Sequence, residues 1–243
     1  MVPRQYRPKA NMLALFSDQV KSLRSLVYDT CIVPMTSRWY REVLLECPTN
    51  SVMLDIGIGT AASLIANRDI IVSKKMTVTG VDYDLAYVRS AQMNVAACGG
   101  RLQDLVRIEQ ADIHDYNKSH AKKFDILYFS GSFMIIPSQV GALRHCVQML
   151  RSPAPQVPGG CNIFFTQTFE RRTFIGQYVT PLVKRLLKAI TAIDFGEVTY
   201  EDEFRAALEE AEVEIVCVKP IHASYYRTQA LVMARPRVTM QYE

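Results

Sequence analysis

The stretch VMLDIGIGTAAS, residues 52–63, decides how this chain folds. An apolar, strand-like run ends in two glycines one residue apart, and small residues able to begin a helix follow. Gly57, Gly59 and Ala62 satisfy the spacing G-x-G-x-x-G/A. Asp82 lies twenty residues beyond Ala62, where a dinucleotide-binding protein keeps the acid that binds ribose. The stretch therefore predicts a strand, a tight turn and a helix that hold an adenosine-containing cofactor.

The nature of that cofactor depends on Asp55, a charged residue two positions before the first glycine. A dinucleotide brings an anionic pyrophosphate to this turn, and a carboxylate there would repel it. The turn IGIGTAAS is also neutral, without an early arginine or lysine to clamp phosphate. A cofactor with ammonium and sulfonium groups fits Asp55 better. An NAD(P)-dependent enzyme remains the weaker alternative.

Strand-like and helix-like segments alternate from residue 51 onward, which predicts βαβ units and a parallel sheet covered on both faces. The predicted strands are 51–57, 76–84, 105–112, 123–132 and 161–169, and the predicted helices are 61–71, 85–98 and 138–152. The last two strand candidates, 213–221 and 228–236, are joined by a loop too short for a crossover helix. We therefore expect them to pair antiparallel.

The N-terminal part of the chain reads as helical. Apolar residues recur at helical spacing from Met12 to Leu45, with Pro34 interrupting them, so the pattern predicts two helices. We interpret residues 1–48 as an N-terminal helical lid or extension and residues 49–243 as the core of a single domain. The basic opening of the chain is compatible with an ordinary basic arm or with a mitochondrial presequence.

Composition is that of an ordinary globular protein of 243 residues with a mild net charge of +4. The six cysteines are scattered without a C-x-x-C pair, which argues against a zinc site and favours a reducing, intracellular compartment. No apolar run approaches the roughly 18 residues of a membrane span. We expect an intracellular, cytoplasmic protein without a metal. Mitochondrial localisation remains the alternative.

Five motifs in order give the chain a family resemblance. Residues 50–235 resemble a class I S-adenosylmethionine-dependent methyltransferase, whose Rossmann-like sheet has seven mostly parallel strands with a reversed last strand. The motifs are LDIGIGTA, GVDYD, EQADIHDY, FDILYFSGSF and PGGCNIFFTQTF. The resemblance implies an α/β fold with helices on both faces, S-adenosylmethionine as cofactor and S-adenosylhomocysteine as product.

The resemblance also implies roles for individual residues around that cofactor. Asp82 would bind the ribose with Tyr83 against the adenine, and Asp112 and the backbone N–H of Ile113 would bind the adenine. Ser130 would lie near the transferable methyl group. The residues implied for the methionine half are Asp55, Gly57, Gly59 and Thr60.

Several of these roles have structural alternatives. Either Asp82 or the neighbouring Asp84 could cap the next helix, and we favour Asp82 for the ribose. Asp112 competes with Asp115, which reads as a surface residue. Tyr83 could be a half-buried aromatic at a strand end.

The range of possible methyl acceptors is narrowed mainly by motifs that the sequence lacks. The segment FSGSFM after the fourth strand has neither the Asn/Asp-Pro-Pro-aromatic tetrapeptide of adenine-N6 and glutamine methyltransferases nor the Pro-Cys of cytosine-C5 enzymes. The fourth strand ends without the acid that metal-dependent catechol-type enzymes need. The catalytic residues remain unknown. The candidates near the methyl group are Ser130, Tyr28 and His222, although for His222 we favour a loop histidine without a catalytic role.

Two regions are expected to form the acceptor pocket. One is the lid segment with Tyr28, Asp29, Trp39 and Tyr40. The other is the insertion after the fifth strand, residues 166–204. It contains the basic segment 171–188, in which apolar residues follow helical spacing opposite lysines and an arginine. This segment is either a core-packing helix with a solvated basic face or a surface for an anionic partner, namely lipid headgroups, RNA or an acidic protein.

The sequence thus predicts an S-adenosylmethionine-dependent methyltransferase acting on an N or O atom of a small molecule, a lipid headgroup or a protein. The alternative is a catalytically silent subunit that keeps the fold and serves as a binding or scaffold protein in an RNA or protein assembly.

Overall fold

The computed structural model describes residues 32–117, 121–151, 158–191 and 198–237. The strands are β1 (Val52–Ile56), β2 (Thr77–Asp82), β3 (Val106–Gln110), β4 (Ile126–Ser130), β5 (Ile163–Glu170), β6 (Val213–Ala223) and β7 (Arg227–Pro236). The helices are α1 (Val33–Glu46), α2 (Ala62–Ile65), α3 (Arg68–Lys74), α4 (Leu85–Cys98), α5 (Gly100–Leu105), α6 (Gln139–Gln148), α7 (Thr180–Thr191) and α8 (Glu201–Glu210).

The seven strands form one sheet in the order β3-β2-β1-β4-β5-β7-β6. Strands β1 to β5 pair in parallel, whereas β7 runs antiparallel to both β5 and β6. The predicted α/β fold, with a mostly parallel sheet and a reversed last strand, is therefore confirmed. This order places the carboxyl ends of β1, β2 and β4 side by side, where ligands of open α/β sheets bind.

Helices cover both faces of the sheet, as predicted. Helices α1 to α5 pack on one face, against strand residues such as Met53, Ile126 and Phe164. Helices α6 and α8 pack on the other, against residues such as Leu54 and Phe165. No helix within the described ranges is long and apolar enough to cross a membrane.

Helix α1 begins where the sequence predicted an interruption. Pro34 lies in its first turn, where a missing backbone N–H breaks no helical hydrogen bond. The helix buries Tyr40, Val43 and Leu44 against the sheet and so belongs to the core layer. The other predicted N-terminal helix lies outside the described residues, and the lid role of residues 1–48 stays a prediction.

The single helix predicted for residues 61–71 is in fact two short helices, α2 and α3. Asn67 separates them and is buried. Its side-chain amide donates to the carbonyl oxygens of Ser63 at 2.9 Å and Ser37 at 2.8 Å. The break therefore ties the segment after the glycine turn to α1.

Five phenylalanines form an aromatic cluster between the sheet, α6 and α8. Phe129 and Phe165 stack with ring centroids 5.0 Å apart. Phe204 of α8 meets Phe133, Phe165 and Phe169 edge to face at 5.7, 5.3 and 5.2 Å. Such contacts hold α8 against the sheet.

We expect Phe204→Ala to lower the free energy of unfolding by about 3–5 kcal/mol, because it opens a cavity among three aromatic rings. Phe174→Ala is the matched control, since that ring is 73% exposed and its loss should cost under about 0.5 kcal/mol. Chemical denaturation of both variants measures the difference. Equal destabilisation would contradict the packing described for Phe204.

Candidate functional site

The glycine turn after β1 is bound to the end of β2. The backbone N–H groups of Gly57 and Ile58 donate to the Val81 carbonyl at 2.8 and 3.2 Å. Gly57 and Gly59 have φ angles of +77° and +61°, a left-handed conformation that glycine adopts without strain. The turn therefore lies directly over the carboxyl edge of the sheet.

Gly57 also has a packing reason to be glycine. A Cβ atom at this position would lie 2.6 Å from Cβ of Ser132, in the loop after β4. The Ser132 hydroxyl in turn donates to the Ile56 carbonyl. The absence of a side chain at Gly57 thus lets the β1 and β4 loops pack together, whatever ligand the turn holds.

Asp82, at the end of β2, joins two turns through its carboxylate. Oδ2 accepts from the Gly59 N–H and Oδ1 from the Asp84 N–H, both at 3.0 Å. Burial raises the pKa of Asp82, and these backbone hydrogen bonds oppose the rise. Each carboxylate oxygen can accept a second hydrogen bond, so the group keeps capacity for ligand hydroxyls.

The structure distinguishes Asp84 from Asp82. Asp84 caps helix α4, its Oδ1 accepting from the Ala86 N–H at 2.7 Å. Asp82 is therefore not the helix cap. Its ribose-binding role stays a prediction, and so does adenine stacking by Tyr83, whose side chain is 78% exposed.

Asp55 is fully buried on the face of the sheet that α1 covers. The Tyr40 hydroxyl donates to its Oδ2 at 2.7 Å. Its Oδ1 is buried and has no hydrogen-bond partner among the described residues. Burial raises the pKa of Asp55 to about 7, the Tyr40 hydrogen bond lowers it, and the charge of Asp82 raises it further.

This environment fits a cofactor that carries a positive charge. An unpaired buried carboxylate oxygen is costly, and an ammonium group nearby would supply a donor and stabilise the ionised form. A pyrophosphate would instead add a second negative charge. The residues present therefore fit the methionine end of S-adenosylmethionine better than a dinucleotide.

Tyr40 links Asp55 to the neighbouring strands. Its ring meets Tyr128 of β4 edge to face, with centroids 4.9 Å apart. The Tyr128 hydroxyl lies 2.9 Å from the Thr166 hydroxyl of β5, and burial raises the pKa of Tyr128. Asp55, Tyr128 and Thr166 thus place buried polar groups on the neighbouring strands β1, β4 and β5, close to their carboxyl ends.

Helix α1 also covers the loop that follows Ser130. Gly131 has a φ of +68°, and its N–H donates to the Thr166 carbonyl at 2.8 Å. A Cβ on Gly131 would lie 3.2 Å from the ring of Trp39. Trp39 is buried, and its indole N–H donates to the Gln229 side chain at 3.3 Å. Half-buried Ser130 is therefore bordered by α1 and β5.

Asp112 and Ile113 lie just after β3. The Asp112 carboxylate is exposed and binds both the backbone N–H and the ring Nδ1 of His114, at 3.0 and 2.8 Å. These hydrogen bonds lower the pKa of Asp112, and the same ring contact raises the pKa of His114. The side chain of Ile113 is buried in the core. The adenine roles stay predictions, as does the choice of Asp112 over Asp115.

The predicted catalytic candidates are not all brought together. Tyr28 lies outside the described residues, as does Asp29. His222 is exposed on β6, which is separated from β4 by β5 and β7. At about 4.8 Å per strand the sheet places it some 14 Å from the end of β4. Only Ser130 adjoins the glycine turn, and Thr60 lies within that turn.

The end of the β5–β7 pair holds buried polar residues that sequence reasoning did not single out. Gln167, Glu170 and Gln229 are each less than 9% exposed. Oε2 of Glu170 has no hydrogen-bond partner among the described residues. Burial raises the pKa of Glu170, and the charges of Lys184 and Arg227 oppose that rise. The available signal was the concentration of polar residues in the second half of the strand sequence IFFTQTFE.

No group of three or more His, Cys, Asp or Glu side chains that could hold a metal occurs in the described part of the chain.

Comparison with known proteins finds a matching family model and similar solved structures. Residues 53–153 match the model of a family described as "Methyltransferase domain". No curated protein matches the chain. Similar solved structures include a SAM dependent methyltransferase from Aquifex aeolicus, with a TM-score of 0.59 and 15% identity over 89% of this chain and 97% of that one.

Two further structures show how varied proteins with this fold are. The mitomycin 7-O-methyltransferase MmcR has a TM-score of 0.59 and 16% identity over 83% of this chain and 53% of its own. The [4+2]-cyclase SpnF has a TM-score of 0.58 and 14% identity over 90% of this chain and 82% of its own. At these identities the likeness concerns the fold.

The raised pKa of Asp55 predicts a pH-dependent stability. The unfolded carboxyl ionises near its ordinary value of 3.8 whereas the folded one stays protonated to about 7. Stability is therefore lost as pH rises through that interval, by on the order of 4 kcal/mol.

Asp55→Asn should abolish this loss, so that the variant gains stability over the unliganded wild type as pH rises from 4 to 7. Urea unfolding across that range measures it, with exposed Asp69→Asn as the control. A constant difference between wild type and Asp55→Asn at every pH would refute the assignment.

Proposed function

Because this chain has the class I S-adenosylmethionine-dependent methyltransferase fold with a methyltransferase domain at residues 53–153, we propose that it transfers a methyl group to an N or O acceptor. The resemblance found in the sequence is thereby confirmed at the level of family and fold. The observation that carries the proposal is the buried Oδ1 of Asp55, which has no hydrogen-bond partner in the described part of the chain and lies beside a glycine turn that Asp82 holds in place.

The proposed cofactor roles follow from these contacts. Asp82 would accept from the ribose hydroxyls, because its two oxygens are already oriented by backbone N–H groups. Asp55 would hold the ammonium group, with Tyr40 fixing its other oxygen. Asp112 and the Ile113 N–H would bind the adenine. S-adenosylmethionine would supply a methyl group on a sulfonium, a good leaving group for in-line displacement.

Catalysis in such a site can rest largely on positioning. Ser130 borders the loop where the acceptor would meet the cofactor, under the cover of Trp39. The buried polar residues at the ends of β5 and β7 would orient acceptor groups that form hydrogen bonds. We propose a small molecule, a lipid headgroup or a protein side chain as the acceptor, with Tyr28 as a further candidate near the reacting atoms.

The alternative is a protein that binds the cofactor without transferring its methyl group. The similarity to the [4+2]-cyclase SpnF supports this alternative, because that protein has the same fold and a different stated activity. Incubation of the purified chain with labelled S-adenosylmethionine and cell extract separates the two. Release of S-adenosylhomocysteine supports methyl transfer, whereas tight binding without release supports a binding or scaffold role.

We expect Asp82→Asn to weaken binding of both S-adenosylmethionine and S-adenosylhomocysteine by about tenfold to a hundredfold, because one charged acceptor oxygen is lost. Isothermal titration calorimetry measures the change. Asp84→Asn is the matched control: Asn caps helices as well as Asp does, so affinity should change by less than about twofold.

Two outcomes would count against these assignments. If the folded wild-type chain binds neither compound, the proposed function is wrong, and NADH in the same calorimeter tests the dinucleotide alternative. If both variants weaken binding equally, Asp82 does not hold the ribose.

A further inference from the structure

An apolar surface lies on the segment that follows β5. Residues 174–186, here termed the apolar surface, comprise a π-helical turn (Ile175–Val179) and the first half of α7. Seven of its side chains are 41–73% exposed, namely Phe174, Ile175, Tyr178, Val179, Leu182, Val183 and Leu186. These seven side chains therefore do not pack in the core, and the prediction of a core-packing helix in the basic segment is wrong for them.

The concentration of apolar side chains is what sets this segment apart. Of the sixteen large hydrophobic residues that are exposed in the described part of the chain, seven lie within these thirteen positions. Single exposed apolar residues are common on protein surfaces, whereas a contiguous patch marks a contact with something else.

The segment is held in a defined orientation at its start. A Cβ on Gly176 would lie 2.2 Å from the Arg171 carbonyl, so the turn folds tightly back on itself. The Arg172 guanidinium bonds to Asp202 at 2.7 Å and lies 4.2 Å from the centre of the Tyr200 ring. The apolar surface is thus presented by an anchored structure.

The segment that carries the apolar surface has charges of one sign, although Asp202 of α8 pairs with Arg172 at its start. Residues 171–191 contain five lysines and arginines and no aspartate or glutamate. Arg185 is exposed beside Leu186 and Leu182. A partner must therefore accept apolar side chains and offer negative charge at the same place.

These two requirements favour one class of partner. RNA phosphates would bind the cations but would leave the seven apolar side chains exposed to water. A second copy would bring a segment with the same five cations against this one. Residues 1–31 of this chain are also basic, with five cations and two acids. An anionic bilayer offers negative headgroups above apolar acyl chains, which amphipathic helices with basic polar faces bind.

We propose that residues 174–186 dock on the surface of an anionic lipid bilayer, with their apolar side chains inserted among the acyl chains. The segment leaves β5 at the carboxyl edge of the sheet, the same edge that carries the glycine turn. Docking therefore turns that edge toward the membrane. This inference is independent of the proposed methyl transfer.

Cosedimentation of the full chain with vesicles tests the inference without any cofactor. The protein should bind vesicles of phosphatidylcholine mixed with phosphatidylglycerol, bind pure phosphatidylcholine weakly, and be released by salt. The double variant Leu182→Ser/Leu186→Ser should bind the mixed vesicles at least about tenfold more weakly. Leu45→Ser/Met93→Ser is the matched control, since these residues are 51% and 65% exposed elsewhere, and its binding should not change.

A charge variant tests the second half of the inference. Arg185→Gln should weaken binding to the mixed vesicles by about fivefold and leave binding to phosphatidylcholine unchanged. Arg89→Gln, an exposed arginine on α4, is its control and should have a smaller effect.

Three results would overturn the inference. Wild-type binding that is absent or independent of phosphatidylglycerol excludes an anionic bilayer. A fall in the thermal midpoint of Leu182→Ser/Leu186→Ser in buffer, beyond that of its control, shows that the face is covered within the chain. Sedimentation velocity that gives a dimer for the wild type and a monomer for this variant assigns the face to a second copy.

Discussion

The hydrogen bond from Tyr40 to the buried carboxyl group of Asp55 constrains the centre of this molecule. A carboxyl group without solvent is expensive to bury, and Tyr40 supplies its one hydrogen bond among the described residues, at 2.7 Å. Tyr40 belongs to α1, whereas Asp55 lies on β1 in the middle of the sheet. If α1 moved away, Oδ2 would lose this hydrogen bond, and neither carboxyl oxygen would then have a partner among the described residues. The helix that the sequence assigned to a lid is therefore bound to the core.

The same constraint organises the carboxyl edge of the sheet. Asp82 holds the glycine turn and the turn into α4 through backbone N–H groups, and Gly57 lets the β1 and β4 loops touch. These contacts are made by the chain itself. The loops are thus ordered before any ligand binds, which reduces the conformational entropy that binding would otherwise cost. Within this ordered frame one buried oxygen of Asp55 has no hydrogen-bond partner among the described residues.

The fold could be predicted because its signals are local. Alternating strands and helices, and the short loop before β7, determine a parallel sheet with a reversed strand, and α4 has the predicted bounds of Leu85–Cys98. The break at Asn67 could not be predicted, because it depends on the Ser37 carbonyl thirty residues away. Tyr40 and Asp55 were both named from the sequence but in separate roles, since only distance reveals their bond. Helical periodicity likewise indicates an apolar face without showing whether protein or solvent covers it.

The two proposals together limit where an acceptor can lie. Thr166 pairs with Ser130, and β5 continues four residues beyond it to Glu170 before the chain enters the basic segment. At about 3.3 Å per residue this separates the end of β4 from the start of that segment by roughly 13 Å. An acceptor atom buried among acyl chains could not cross that distance without leaving the bilayer. A headgroup that extends into water could, and the buried polar residues Glu170 and Gln229 lie along that path. If the apolar surface does bind membranes, a polar headgroup or a soluble acceptor is therefore favoured over an acceptor atom within the hydrocarbon.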